Sequence, residues 1–458
     1  MDANDGLPPR ERRWAVLSLA IAISLVVVDM GMANVALPTI GRDLGISPSA
    51  SIWVVNAYQI AITVALLPLA ALGDIVGYRR IYIGGLVLFT ACALVSATAD
   101  SMPVLIAARL AQGFGAAGVM SVNSALVRYV FPRAKLGQGV GINSLVVATG
   151  SAAGPSLAAV VLSVADWPWL FAVAVPFGLV ALAFAIRFLP HMEGSRHRFD
   201  VPSALLSIAT LGLVLAAVDG IAHGGGLLVL APLCIAMLGG WLFVRRQGRL
   251  AVPMLPVALF RRPAFSLSVA TAIAAYMAQS LAIVALPFFF IAVAGRTQVE
   301  AGFLMTAWPI AVAAVAPFSG RAADRYPVGL LAGGGLAVMA IGLFLLATTP
   351  EAPTTADIVW RMAICGLGFG FFQAPNNRAL LSSVPRERSG AAGGVLSTSR
   401  LLGQTSGAAF VAVIFGLVGT APGATHGAVV ALALGGACAG IAALVSFVRL
   451  GGFARREE

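Results

Sequence analysis

The sequence predicts an all-α polytopic membrane protein with fourteen transmembrane helices and both termini in the cytoplasm, and three observations predict it. Of the 458 residues 59% are hydrophobic and 10% charged, where a soluble domain carries about a quarter charged residues. Lipid is the solvent that suits so much apolar surface. The apolar residues gather into runs of about 20, the length that crosses a hydrocarbon core. The basic residues gather in alternate loops between those runs.

The runs cover residues 14–37, 52–72, 81–99, 103–124, 138–162, 167–189, 201–219, 226–244, 264–290, 301–320, 328–348, 357–379, 391–419 and 426–448. The first follows Arg10, Arg12 and Arg13 as a signal peptide would. It is too long for a signal h-region and has no small-residue cleavage site, so it reads as a retained membrane helix. In the run 264–290 a break is expected near Pro287. With the N-terminus inside, the outer segments hold only Arg42, Arg296 and Arg361. Arg109 and Arg400 fall within helices, and every other Arg, with the single Lys135, falls on the cytoplasmic side. A helix missed or added would scramble this positive-inside alternation.

An internal repeat organises the chain. Pro132-Arg133-x-Lys135 recurs as Pro385-Arg386-x-Arg388, and Gly137, Gly141, Ser144, Gly150 and Gly154 recur in the same register as Gly390, Gly394, Ser397, Gly403 and Gly407. Arg109-Leu-Ala recurs as Arg361-Met-Ala, and Gly73-Asp74 recurs more loosely as Gly320-Arg321 with Asp324. Residues 201–244 have no counterpart. The expected organisation is therefore six plus two plus six: a first bundle over 1–190, a two-helix insertion with its connectors over 191–262, and a second bundle over 263–458. Repeated halves rocking about a midplane site are a hallmark of secondary transporters.

Four segments carry a family resemblance. They are Gly73-Asp74-x-x-Gly77-x-Arg79-Arg80 after the second run, Arg109-Leu-Ala-Gln112-Gly113-x-Gly115 in the fourth, Gly150-x-x-x-Gly154-Pro155 in the fifth, and Asp29-Met-Gly-Met-Ala-Asn34-Val-Ala-Leu-Pro38 in the first. Together they resemble the major facilitator superfamily, most closely its fourteen-helix drug/proton antiporter branch, over nearly the whole chain. The resemblance implies proton-coupled export from the bacterial inner membrane, with Gly73, Asp74, Gly77, Arg79, Arg80, Gly150, Gly154 and Pro155 in the conformational gate. The runs 301–320 and 391–419 contain no Asp or Glu, which departs from branch members that carry further acids there and weighs against a second cation-binding carboxylate.

Asp29 is the one acid well inside an apolar run, about 22 Å along it at 1.5 Å per residue. A carboxylate in lipid is expensive and persists where it has a role, so Asp29 is expected to carry the proton and to meet a cationic substrate; the alternative is a polar contact facing water. Arg109 stays charged and can act on a nearby carboxylate, either biasing Asp29 or bracing a backbone carbonyl, and Arg400 reads as such a brace. Asp74 can pair with Arg128 or Arg133 and with the positive end of another helix, latching an outward-open state. Candidate cavity residues are Trp53, Asn56, Tyr58, Gln59, Tyr276, Gln279, Trp308, Gln373, Asn376, Asn377 and Gln404. Tyr58, Gln59, Trp308, Gln373 and Asn376 are the foremost of these as substrate contacts beside Asp29, because aromatic faces and a carboxylate bind lipophilic cations.

Other chemistries find no support. Gly113-Phe-Gly115-Ala-Ala-Gly118 fits a dinucleotide fingerprint but has no preceding strand, and the lone Lys135 follows no glycine-rich loop, so there is no ATP-binding P-loop. The four His and four Cys are scattered, without metal spacing, and no nucleophile motif appears. The expectation is a monomeric transporter, not an enzyme, with no cofactor or metal and no nucleic-acid partner. A proton gradient would drive export of amphipathic, cationic drugs, dyes or antiseptics. The alternative is export of one metabolite or self-made antibiotic by the same machine.

Overall fold

In the computed structural model the described parts of the long apolar runs are helical. The structure describes residues 6–45, 51, 53–192, 194, 198–222, 230–250, 253–255, 257–290, 294–296, 298–350, 353–384, 389–418 and 424–454. The helices are α1 (Pro9–Asp43), α2 (Trp53–Val76), α3 (Tyr78–Ala97), α4 (Met102–Val130), α5 (Leu136–Val164), α6 (Pro168–Phe188), α7 (Val201–Ala222), α8 (Leu230–Gln247), α9 (Pro263–Phe288), α10 (Glu300–Ala323), α11 (Val328–Ala347), α12 (Thr355–Ser382), α13 (Ser389–Val418) and α14 (Ala424–Ala454). Among the described residues ten helices are long and apolar enough to cross a membrane: α1–α4, α6, α9–α12 and α14. The other four occupy the remaining apolar runs, with Arg245 and Arg246 in the last turn of α8. Large side chains such as Leu94, Val164, Leu205, Met237, Ile341 and Leu444 stand exposed on the outer faces, as lipid-facing residues do.

Proline explains the irregularities. α6 and α10 each break once, at Val173 and Thr306. Pro176 and Pro309 follow three residues later and cannot donate to the carbonyls of Ala172 and Met305. Near Pro287, where a break is expected, α9 keeps its α-helical form to Phe288 and turns π-helical at Phe289 and Phe290, with the Ala294 amide donating to the Phe289 carbonyl at 3.1 Å.

The packing of α1–α6 recurs in α9–α14. In the first set α2 and α3 pack on α4, α5 and α6 on α1, and α3 on α6; in the second, α10 and α11 pack on α12, α13 and α14 on α9, and α11 on α14. Gly113 lies against the Tyr58 carbonyl, and Gly366, its repeat mate, lies against the Trp308 carbonyl. The sets meet through α5 on α10 and α2 on α13. α7 and α8 pack on each other, and α7 touches α2 and α13 at that second seam. Asp200, just before α7, accepts from Arg246 Nε at 3.1 Å and from its terminal nitrogen at 2.8 Å. That bond, more than any other effect, holds the Asp200 carboxyl below its ordinary range.

One end of the bundle, which carries Arg79, Arg80, Arg128 and Arg133, is closed. Gly137 and Gly141 of α5 meet Gly320 of α10 backbone to backbone. Asp324, just past α10, accepts from the amides of Gly137 and Gln138 at 2.8 and 3.0 Å, and Arg378 Nε lies 3.0 Å from it. A carboxylate on a helix N-terminus satisfies free amides and meets the positive end of the dipole. Arg128 reaches the other way, donating to Ser389 Oγ at 3.1 Å and to the Val384 carbonyl at 2.6 Å. The apolar core of the first set runs on through this contact into Leu380, Val384 and Val395.

A Cβ at Gly141 would stand 2.6 Å from the Ala316 carbonyl oxygen, so Gly141→Val must part α5 from α10. The expected result is several-fold faster labelling of a Ser397→Cys reporter from the basic end, read with a membrane-impermeant maleimide. Unchanged labelling would mean that this contact does not hold the end shut.

Candidate functional site

Asp29 and Arg109 find each other inside the first set. Arg109, on α4, is fully buried and donates to Asp29 Oδ2 at 2.7 Å; both side chains are shielded from solvent. Gln112, one turn along α4, donates to Asp29 Oδ1 at 3.1 Å and accepts from the same Arg109 nitrogen at 2.8 Å. Arg109 Nε donates to the Val54 carbonyl at 3.2 Å. Its guanidinium also stacks 4.2 Å from the Tyr58 ring and 5.2 Å from that of Phe171. The second terminal nitrogen of Arg109 is buried with no acceptor among the described residues. The arrangement is a neutralised ion pair buried between helices, where charge and hydrogen bonds count far more than in water.

A cavity of about 570 Å³ lies between the two sets, directly beyond the closed end. Its walls come from α1, α2, α4 and α5 on one side and from their repeat mates α9, α10, α12 and α13 on the other. Gln59, Trp308 and Gln373 line it, as do Tyr276, Gln279 and Gln404; Gln373 donates to the Tyr276 hydroxyl at 3.2 Å. The first set contributes Val26, Val27, Met30, Val147 and Ala148 among its apolar residues. Asp29 is not on this wall. It borders a separate pocket of about 420 Å³ between α1, α5 and α6.

The comparisons with known proteins agree with this geometry. The family model of the Major Facilitator Superfamily matches residues 19–408. The chain belongs to the Major Facilitator Superfamily. It is 50% identical to the transporter YebQ of Escherichia coli (strain K12), over 97% of each chain. It is 28% identical to the riboflavin transporter RibZ of Clostridioides difficile (strain 630), over 88% of this chain and 89% of that one. It is 30% identical to the multidrug resistance protein Stp of Mycobacterium tuberculosis, over 87% and 75%. The solved human organic anion transporter MFSD10 (TETRAN) superposes with a TM-score of 0.70 at 14% identity, covering 96% of this chain and 100% of that one, a likeness of fold alone. The chain is a multi-pass membrane transporter of this superfamily and not an enzyme.

Other residues singled out in the sequence of this superfamily member fall into distinct places. Tyr58 lies under Arg109 rather than on the cavity wall, and its hydroxyl donates to the Val26 carbonyl at 3.3 Å. Asn376 is buried and donates to the Ser268 carbonyl at 3.3 Å, also off the wall. Gly150 and Gly154 pack α5 on α1 at Val27, Val28 and Gly31, the turn that holds Asp29, whereas the α5 residues that meet the other set are Gly137 and Gly141. Pro155 lies in the same helix, with its side chain outside the described residues, as is that of Asn34. Gly73 lets Val122 of α4 come close, and Gly77, at φ 101°, turns the chain against the Met192 carbonyl. Asp74 accepts from Tyr78 at 2.7 Å, and Arg79 donates to the Ile186 carbonyl and pairs with His191 at the end of α6.

Sequence reasoning singled out neither Gln112 nor Asp324 as a site residue. Gln112 was legible as the residue three after Arg109, on the same helix face. Asp324 was signalled only by the loose repeat of Gly73-Asp74. Arg400, read as a brace, lines the cavity.

Removing one partner of a buried pair leaves a bare charge, at a cost of about 3–5 kcal/mol. Arg109→Gln is therefore expected to lower the thermal midpoint of the purified protein, and adding Asp29→Asn to restore most of the loss. A double variant no more stable than Arg109→Gln alone would show that the two charges are not coupled.

Proposed function

We propose that the chain is a proton-coupled exporter of amphipathic small molecules, working by alternating access in the bacterial inner membrane. Fourteen spanning segments in a six-two-six order, with both termini in the cytoplasm, give a monomer that needs no cofactor beyond the proton gradient. The basic residues at the closed end support placing that end in the cytoplasm, and the form described is then outward-facing.

The observation that carries this reading is the division of a single turn of α1. Val26, Val27 and Met30 face the cavity, while Asp29 between them faces Arg109 and Gln112. A proton arriving at Asp29 neutralises the carboxylate and leaves the Arg109 guanidinium short of a counter-charge. The contacts that hold α1 to α4 must then rearrange, and the cavity face of α1 moves with them. Substrate and proton thus compete through one helix without sharing a contact. Gly154 against Val28 and Gly31 lets α5 follow that movement closely.

Two of the relatives named above carry a riboflavin or a multidrug name, and both suit a cavity whose charged wall faces a largely apolar one. The expectation of a cationic substrate depended on Asp29 meeting it. Because that carboxylate is engaged by Arg109, the proposal is for amphipathic compounds, with no cation preference built in.

The test is efflux of a panel of amphipathic dyes from energised cells carrying wild type or Asp29→Asn. An uncoupler and the Asn variant are each expected to bring active efflux down to the rate of cells without the transporter, while the variant still exchanges dye for dye across vesicles with no gradient. Active efflux by Asp29→Asn at the wild-type rate would remove Asp29 from the coupling step.

A further inference from the structure

The central cavity contains one charged side chain among its described lining residues, and that charge is positive. Arg400, half-buried on α13, lines the wall, and no Asp or Glu does. Among the described residues Arg400 has no carboxylate partner and no hydrogen bond. Its situation differs sharply from that of Arg109, which the same fold neutralises with Asp29. A guanidinium held between apolar helices and left unpaired is costly. Water fills that role while the cavity is open, and a bound anion would fill it once the cavity closes.

Gln279 and Gln404 line the same wall, and each can turn its amide N–H to a ligand. Trp308, 3% exposed, lines the cavity, and its indole N–H finds no acceptor among the described residues. Aromatic surface is supplied by Tyr276 and Phe369, whose rings meet edge to face at 5.5 Å. The first set answers with an uncharged, largely apolar surface: Val147, the repeat mate of Arg400, lines the facing wall with Val26, Val27 and Met30, and the polar groups there are Gln59, Thr63, Ser144 and Ser151. The cavity is therefore charged on one side and uncharged and largely apolar on the other, within the size range of drug-sized ligand sites.

We propose that the cavity selects amphipathic organic anions, compounds with a carboxylate or sulfonate on an aromatic body, whose acid group pairs with Arg400 while the body lies against the α1–α5 wall. A guanidinium binds such a group through two parallel hydrogen bonds, which a lysine cannot reproduce. This rests on the reading of the cavity as the substrate site. It departs from the cation preference that the sequence suggests.

Two dyes on one ring system separate the alternatives: fluorescein, an anion, and rhodamine 123, a cation. Binding is measured by fluorescence anisotropy with the purified full chain in nanodiscs, and transport in everted vesicles. Wild type is expected to bind fluorescein at least tenfold more tightly than rhodamine 123. Arg400→Gln should lose at least tenfold in fluorescein affinity, Arg400→Lys should lose less, and neither should change rhodamine binding. Equal affinity of wild type and Arg400→Gln for fluorescein, a wild-type preference for the cation, or no fluorescein binding at all would each overturn the proposal. Binding that follows this pattern without gradient-driven transport would leave the anion site standing and overturn the exporter reading.

Discussion

A guanidinium buried between helices must be neutralised where it stands, and Arg109 organises the first six helices by that requirement. Its counter-charge comes from α1 through Asp29, a carbonyl and a ring from α2 through Val54 and Tyr58, a second ring from α6 through Phe171, and an amide from its own helix through Gln112. Four helices are thereby fixed around one ion in a medium that offers lipid outside and close packing inside. In such a site each bond is strong and each missing partner is expensive. The same fact makes the cluster sensitive to one proton, since protonating Asp29 removes half of the charge balance at once.

The repeat duplicates the architecture but not the chemistry. Arg361 stands where the repeat would place a second Arg109, yet it pairs at 3.1 Å with Asp357 of its own helix and reaches Leu345 and Thr349 near a helix end. No buried ion joins the helices of the second set in the way Arg109 joins those of the first, among the described residues. Arg400 instead brings its charge to the cavity wall from α13. On the proposed reading, duplicated packing with divided chemistry would let one set respond to protons and the other to ligand. The contacts between the sets that would carry the response are Asp324 on the α5 amides and Arg128 on Ser389 and Val384.

Legibility differed among the site residues for physical reasons. Asp29 and Arg109 were visible because charge in an apolar run is costly and stands out against Leu, Val and Ala. Their mutual contact was an open alternative, since two helices separated by 80 positions do not declare their relative rotation. Gln59, Trp308 and Gln373 line the cavity, but Tyr58, next to Gln59, turns to the other face of α2 and serves Arg109. A one-residue step on a helix rotates the side chain by about 100°, and sequence without a known neighbour cannot say which direction is inward.

The sequence by itself determined the solvent, the helices and the repeat, because hydrocarbon demands runs of about 20 apolar residues and tolerates charge only where it is functional. Through its resemblance it also marked Gly73, Gly77, Gly150 and Gly154 as residues of the conformational gate. Only the tertiary structure decided which surfaces those glycines join, and it put Gly150 and Gly154 on α1 rather than on the opposing set. It likewise decided the sign of the cavity. Asp29 is withdrawn behind α1 by Arg109 and Arg400 is brought to the wall by α13, an outcome set by how helices rotate against one another and not by what any one of them contains.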